Sequence, residues 1–157
     1  MTIQEYMIDS TKRSAAETFR YAKVVPADKW EWSPLDNGRT VLDMCREITM
    51  TPKWAVDIIN GVPMEWNEGT MAETKAEQAQ WKSPEDCEKE FNNRIAKLEA
   101  LYLSLTDEKL KETRWLPFDG GRDFTFLEMM EYPRWNLNYH LGQIAYIQIL
   151  YGDKEMH

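Results

Sequence analysis

A chain of 157 residues with 43% hydrophobic and 29% charged residues is expected to fold as a single globular domain spanning residues 1–157. Its net charge of −8, from 27 acidic and 19 basic residues, argues against a nucleic-acid partner, which would require clustered Lys and Arg. Because no apolar run approaches the roughly 20 residues of a membrane span and no signal peptide is recognisable, we expect a cytoplasmic protein without a membrane partner.

Four segments begin with a hydroxyl residue three positions before a carboxylate, which is typical of a helix N-terminus. The hydroxyl accepts a hydrogen bond from an unpaired amide of the first turn, and the acid interacts favourably with the positive end of the helix. These signals begin at Thr2, Thr40, Ser83 and Thr125. Together with the apolar periodicity that follows each of them, they predict four helices over about 2–24, 40–60, 83–105 and 125–151.

The first and third helices each have one apolar face. The residues expected to point inward are Ile8, Ala15, Phe19 and Ala22 in the first helix, and Phe91, Ile95, Leu98 and Tyr102 in the third. Cys45 and Cys87 both fall within predicted helices. We expect them to be two buried thiols in a reducing cytosol rather than a disulfide.

The second and fourth helices contain internal prolines, Pro52 and Pro133. A proline removes one helical hydrogen bond and clashes with the preceding turn, so we expect a kink or short break near Met50 and an opening in the bundle at that level. Gly61 is expected to end the second helix, because glycine readily adopts the left-handed conformation of a C-terminal cap.

The connections differ in character. We expect a loop over 26–39, a long crossing segment over 62–82 with one helical turn at 71–80, a short capped turn at 106–110 and loosely paired extended chain over 115–123. The predicted fold is an all-α four-helix bundle with long crossover loops.

One polar stripe interrupts the apolar fourth helix. Asn136, His140 and Gln143 lie three and four residues apart and therefore share one helical face. The only other histidine is the last residue, His157. A metal site built from several imidazoles is therefore excluded by the histidine count.

Three segments together resemble a known family, although no standard catalytic signature is present. These segments are Trp32–Pro34, Arg39–Ile48 and the pattern Asn136-x-x-x-His140-x-Gly-Gln-Ile144. Their order and spacing resemble the DinB-like (YfiT-like) metalloenzymes, and the resemblance spans most of the chain. It implies a four-helix bundle, and by analogy with many members of the family it implies a homodimer.

The resemblance also implies a metal site whose residues have changed. The three metal-binding histidine positions of the family fall on Glu47, Asn136 and His140, so one imidazole of three is kept. The implied cofactor is a divalent metal such as nickel or zinc, weakly bound or absent, because a neutral amide oxygen is a poor ligand for these ions. Asp43, one turn before Glu47, is a candidate fourth ligand.

Three interpretations remain open at this point. The first is a metal-dependent transferase of the thiol S-transferase type, or a hydrolase, acting on a small-molecule substrate or thiol. The second is a non-catalytic bundle in which Glu47 and His140 form a hydrogen-bonded pair, and whose polar cavity binds a small molecule or serves a structural role. An unrelated use of the polar cluster is a third reading, and no catalytic residue is identified.

Residues near the predicted site are assigned by the same helical spacing. Cys45 is expected in the core, and Arg46 and Arg134 are expected to be solvated surface charges. Met50 and Trp54 could line a pocket, although core packing is their more common role. Gln143 is placed to orient His140 or simply to pack.

Overall fold

The computed structural model describes all 157 residues and contains six α-helices and one β-hairpin. In chain order these elements are α1 (Ile3–Lys23), α2 (Val41–Asn60), α3 (Glu68–Gln78), α4 (Pro84–Ser104), α5 (Asp107–Lys111), β1 (Thr113–Leu116), β2 (Arg122–Thr125) and α6 (Phe126–Leu150). The four predicted long helices are confirmed as α1, α2, α4 and α6. None of the helices combines the length and apolar composition that crossing a membrane would require.

The predicted N-terminal caps all form. The side chains of Thr2, Thr40, Ser83 and Thr125 each accept a hydrogen bond from the backbone N–H three residues later. In α1 and α6 the glutamate at that third position also accepts from the N–H of the cap residue, which completes a capping box. Gly61 ends α2 in the left-handed conformation, with a φ of 73°.

The four long helices form the predicted bundle, arranged in a ring in the order α1, α4, α2, α6. α2 packs against both α4 and α6, and α1 packs against the same two helices, so α1 and α2 lie mainly across a diagonal. Two connections therefore cross the bundle diagonally, from α1 to α2 and from α4 to α6. This explains why the linking segments are long.

The core is a single cluster of 29 buried hydrophobic residues. It includes every residue that the sequence predicted to face inward from α1 and α4: Ile8, Ala15, Phe19, Ala22, Phe91, Ile95, Leu98 and Tyr102. Cys45 and Cys87 are free thiols, and both are buried. Their predicted placement in the core is thus confirmed.

The helices continue through both internal prolines. α2 runs unbroken from Val41 to Asn60 across Pro52, so the short break allowed near Met50 does not occur. Pro52 and Pro133 are both buried. Thr51, the residue before Pro52, donates a hydrogen bond to Asn136, which lies about one turn after Pro133, and so joins α2 to α6 at this level. Tertiary contacts to neighbouring helices therefore hold the chain helical where one backbone hydrogen bond is missing.

The segment between α4 and α6 contains the fold's only two strands. β1 and β2 pair antiparallel with Thr113 opposite Thr125, which gives the extended segment predicted around 115–123 a defined hairpin. Arg114, on β1, donates from Nη1 to the carbonyl oxygens of Ile58 and Ile59 at 2.6 and 2.9 Å. These two bonds satisfy carbonyls at the C-terminal end of α2 and attach the hairpin to it.

Candidate functional site

The three residues carried over from the family pattern meet between α2 and α6. Glu47 Oε1 lies 3.0 Å from His140 Nε2, and Asn136 Nδ2 donates to the same oxygen at 3.2 Å. α2 supplies the carboxylate, and α6 supplies the imidazole and the amide from adjacent turns of one face. The sequence prediction that these side chains lie together is confirmed, whereas their ligation of a metal remains a prediction.

His140 is the buried end of this cluster, with 1% of its surface exposed. Its Nδ1 lies 2.7 Å from Gln143 Oε1, one turn further along α6. Both ring nitrogens therefore have a partner, a carboxylate on one side and a side-chain amide on the other. Gln143 thus takes the orienting position that the sequence left as one of two options, and it fixes the plane of the imidazole.

Asn136 is oriented by a residue that the sequence analysis did not single out. Thr51 Oγ1 donates to Asn136 Oδ1 at 2.9 Å, so the amide oxygen is occupied and the NH₂ group points at Glu47. Thr51 directly precedes Pro52 on α2, and its side chain is buried. The buried amide is therefore satisfied at both ends, as buried polar groups generally are.

Arg39 is the second partner that sequence reasoning missed. Its Nη1 donates to Glu47 Oε2, and its Nε donates to Asp43 Oδ2 at 2.7 Å. Arg39 precedes the helix cap Thr40, and its side chain extends along the first two turns of α2. The sequence indicates only the contact between Arg39 and Asp43, because these two residues are four positions apart and of opposite charge.

These contacts set the charge state of Glu47. Burial alone would raise the pKa of this carboxyl group, but hydrogen bonds from His140 and Arg39 and the positive charge of Arg39 outweigh it and lower the pKa from 4.5 to about 2. Burial also disfavours the charged form of Arg39 and so tends to lower its pKa, but the hydrogen bonds of Arg39 to Glu47 and Asp43 raise this pKa above the usual value. Glu47 and Arg39 therefore form a persistent ion pair near neutral pH.

Tyr132 contributes a protonated hydroxyl close to this pair. Burial raises the pKa of its phenol well above the usual value of 10, and the negative charge of Glu47 raises it further, while a hydrogen bond with Thr51 acts in the opposite direction. The hydroxyl therefore remains a neutral donor throughout the range in which Glu47 is ionised.

The cluster runs from the protein interior to the solvent. His140 is buried, the Glu47 side chain is 25% exposed, and Arg39 and Asp43 are 38% and 48% exposed. The network is therefore accessible to solvent from the side of Arg39. A small molecule could therefore reach its carboxylates without unfolding the bundle.

The arrangement does not fit a tightly held divalent metal. Glu47 Oε1 already faces two donors, its Oε2 faces the Arg39 cation, and the oxygen of Asn136 is turned to Thr51. Asp43, the candidate fourth ligand, is also paired with Arg39. Nowhere in the structure do three His, Cys, Asp or Glu side chains converge in a geometry that could hold an ion. A metal would have to displace the Arg39 guanidinium and reorient the amide.

One neighbour of the site, Arg46, differs from the sequence expectation, whereas Met50 and Trp54 pack as expected. Arg46 was expected to be a solvated charge, but only 18% of its side chain is exposed and its Nε donates to the Trp81 carbonyl oxygen at 3.0 Å. That prediction is wrong, because Trp81 lies in a distant part of the chain that folds against α2. Met50 is buried in the core, and Trp54 packs half-buried against it.

Comparison with known protein families identifies the family of this chain. The family model described as the DinB superfamily matches residues 10–144, which includes Arg39, Glu47, Asn136 and His140. No curated protein matches the sequence.

Solved structures with the same fold are similar over nearly the whole chain. One is described as YfiT from Bacillus subtilis, "a probable metal-dependent hydrolase with an unusual four-helix bundle topology"; it has a TM-score of 0.70 and 16% identity, covering 95% of this chain and 87% of that one. Another is described as a conserved protein from Enterococcus faecalis, with a TM-score of 0.67 and 10% identity, covering 96% of this chain and 97% of that one. At these identities the likeness establishes the fold.

Proposed function

Since this chain belongs to the DinB superfamily, we propose that it is a member that works without a stoichiometric metal, as a non-catalytic bundle that binds a small molecule at the Glu47–His140 cluster. The observation that carries the proposal is the pairing of every ligand-capable atom at the three family positions with another side chain of the same protein. The guanidinium of Arg39 and the amide of Asn136 supply the positive charge and the donors that Glu47 needs.

The chemistry of the exposed edge indicates the class of small molecule. The groups that reach solvent are the carboxylates of Asp43 and Glu47, with Arg39 between them. A ligand with N–H donors, such as an amine or an amidine, could replace the contacts of Arg39, whereas an anion would meet two carboxylates. The buried imidazole and amide would keep Glu47 ionised and in place during such an exchange.

A metal-dependent transferase or hydrolase with a substituted site is the second candidate. Glu47 and His140 both belong to residue types that bind metal, and their facing atoms are 3.0 Å apart. The description of YfiT as a probable metal-dependent hydrolase adds weight to this candidate by analogy. It requires Arg39 to move away and His140 Nε2 to present a lone pair.

Elemental analysis of protein purified without a histidine tag separates the two candidates. The proposed function predicts nickel and zinc contents far below one ion per chain, unchanged in Glu47→Ala and His140→Ala variants. A stoichiometric metal that disappears in both variants would establish the second candidate.

Ligand binding is tested directly by thermal-shift and calorimetric titration with small amines and amidines. We expect stabilisation of the wild type that is lost in Glu47→Gln. An exposed glutamate on α3 supplies the matched control, Glu73→Gln, which should retain the response. Equal responses in both variants, or no response to any amine or amidine, would overturn the binding proposal.

A further inference from the structure

The loop between α1 and α2 contains an Asn-Gly pair, Asn37 and Gly38, directly before the arginine of the polar cluster. An asparagine that precedes glycine is especially prone to attack by the next main-chain nitrogen on its side-chain amide, because glycine has no Cβ to hinder the approach. Asn37 is exposed, and its side chain makes no hydrogen bond within the protein. The residue types and the exposure that this reaction requires therefore occur together here.

A second Asn-Gly pair, Asn60 and Gly61, places the same two residue types in a different setting. Asn60 is the last residue of α2. The N–H of Gly61 donates to the carbonyl oxygens of Asp57 and Ile58, which closes the helix cap. The Arg114 side chain covers this end, because a Cβ on Gly61 would lie 3.0 Å from the guanidinium carbon. The nitrogen that would have to attack Asn60 is therefore held by two acceptors in a covered helix end.

Asn37, in contrast, is held only by a single exposed turn. The N–H of Gly38 donates to the Leu35 carbonyl oxygen at 2.9 Å, and the same oxygen accepts from Ser33 Oγ at 2.6 Å. Residues 34–37 are exposed, and no residue from 33 to 38 belongs to the core or packs against it. Local opening of such a segment requires much less free energy than unfolding a helix end that is tied to another element. The nitrogen of Gly38 can therefore become free to attack in the folded protein.

We propose that Asn37 is a site of spontaneous deamidation to aspartate and isoaspartate in the folded protein, and that this change weakens the contact of Arg39 with Glu47. The Gly38 nitrogen loses its proton and bonds to Cγ of Asn37, while the bond from Cγ to the side-chain nitrogen breaks and ammonia leaves. Water then opens the resulting succinimide. Opening at Cγ gives aspartate, and opening at the main-chain carbonyl carbon gives isoaspartate. The net change exchanges ammonia for water and adds one negative charge.

The effect on Arg39 follows from the close packing of the turn. A Cβ on Gly38 would lie 2.4 Å from Ser33 Oγ and 3.1 Å from the Leu35 carbonyl oxygen, so the main chain has no spare room here. Isoaspartate adds one methylene to the main chain between Leu35 and Gly38, and its free carboxylate lies two residues before Arg39. The turn must therefore rearrange, and the new negative charge competes with Glu47 for the guanidinium of Arg39.

Peptide mapping of the full-length chain after incubation at pH 8 tests the modification. Deamidation raises the mass of a peptide by about 1 Da, because OH replaces NH₂. Synthetic peptides identify the isoaspartyl and aspartyl products, which have equal mass, by their chromatographic retention. In the folded protein we expect Asn37 to react at least about tenfold faster than Asn60, whereas in denaturant the two rates should be similar. Equal rates in the folded protein, or an Asn37 that stays intact while both sites react in denaturant, would overturn the proposal.

Denaturant unfolding of the incubated proteins tests the effect on Arg39. Incubation should lower the unfolding midpoint of the wild type but not that of Asn37→Gln, because glutamine forms the corresponding six-membered ring far more slowly. In Arg39→Met, which already lacks the contact with Glu47, the same extent of deamidation should lower the midpoint by at most about half as much as in the wild type. Equal shifts in the wild type and Arg39→Met would overturn the proposed effect on Arg39. None of these outcomes depends on metal or amine binding at Glu47.

Discussion

Arg39 is paired with Glu47 although the N-terminal cap of α2 lies between them in the sequence. The guanidinium contacts the carboxylates of Asp43 and Glu47 on the first two turns of the helix. It thus neutralises the same charges that a bound cation would neutralise. The chain thus provides its own counter-ion for the two carboxylates, one of which is at a position that the family resemblance implied to be a metal ligand.

Replacing Arg39 should therefore make the site more attractive to divalent ions. In Arg39→Met two carboxylates lose their cation, and we expect zinc affinity, measured by calorimetry on tag-free protein, to increase at least tenfold over the wild type. Arg13→Met, which removes an exposed arginine on α1, serves as the control and should change nothing. Equal zinc affinity in the two variants would mean that Arg39 does not compete with a metal.

Glu47 should make the protein's stability depend on pH in the acid range. Its pKa is about 2 in the folded state against 4.5 as the ordinary value, so the unfolded chain binds the proton more readily. The stabilisation is complete above about pH 5 and is lost as the pH falls from there toward 2; its full size is on the order of 3 kcal/mol.

Denaturant unfolding measured across this range checks the prediction. The decline in the free energy of unfolding between pH 5 and 2 should be shallower in Glu47→Gln than in the wild type. Glu73→Gln, at an exposed position on α3, should retain the wild-type slope. If Glu47→Gln retained it as well, the ion pair would not be the source of the acid sensitivity.

We expect Thr51 to stabilise the fold through the hydrogen bond that its hydroxyl group donates rather than through the shape of its side chain. Thr51→Val keeps the volume but leaves Asn136 Oδ1 buried without its partner, which should reduce the free energy of unfolding by about 1–3 kcal/mol. Thr51→Ser keeps the hydroxyl and should recover most of that loss. Chemical denaturation of the three proteins gives the comparison, and equal stability of the valine variant and the wild type would contradict the assigned hydrogen bond.

The two cysteines should be unreactive in the folded protein. Burial raises the pKa of Cys87 to about 12 and raises that of Cys45 well above its usual value, so neither forms a thiolate near neutral pH. In a titration at pH 8 with a disulfide reagent that releases a coloured thiolate, we expect almost no reaction of the native chain. In denaturant we expect both thiols to react. Rapid labelling without denaturant would show that the α2–α4 contact opens easily.

The helices were predictable because their signals are local. A cap such as Thr125 and its partner Glu128 lie within one turn, and the apolar period of α4 repeats within the helix itself, so neither depends on the rest of the fold. The convergence of Glu47 with His140 was predictable only through family resemblance. Nothing in the spacing of α2 and α6 alone indicates that the two helices are neighbours.

The partners of the site could not be predicted for a physical reason in each case. Arg39 and Glu47 are eight residues apart, beyond the three- and four-residue spacings at which side chains of a helix commonly pair, so the sequence gives no local signal of this contact. Arg46 is removed from solvent by Trp81, which is 35 positions away in the chain. Pro52 does not break α2, because the packing of neighbouring helices outweighs the loss of one backbone bond.

A single helix, α6, presents His140 and Asn136 to the interior and Tyr139 and Tyr146 to the exterior. Successive residues of a helix are turned by about 100° about its axis. Any rotation of α6 that moved the imidazole away from Glu47 would therefore also change the direction in which Tyr139 and Tyr146 point from the surface. The two faces are therefore mechanically coupled. A contact that rotated the exposed face of α6 would therefore also change the orientation of His140 relative to Glu47.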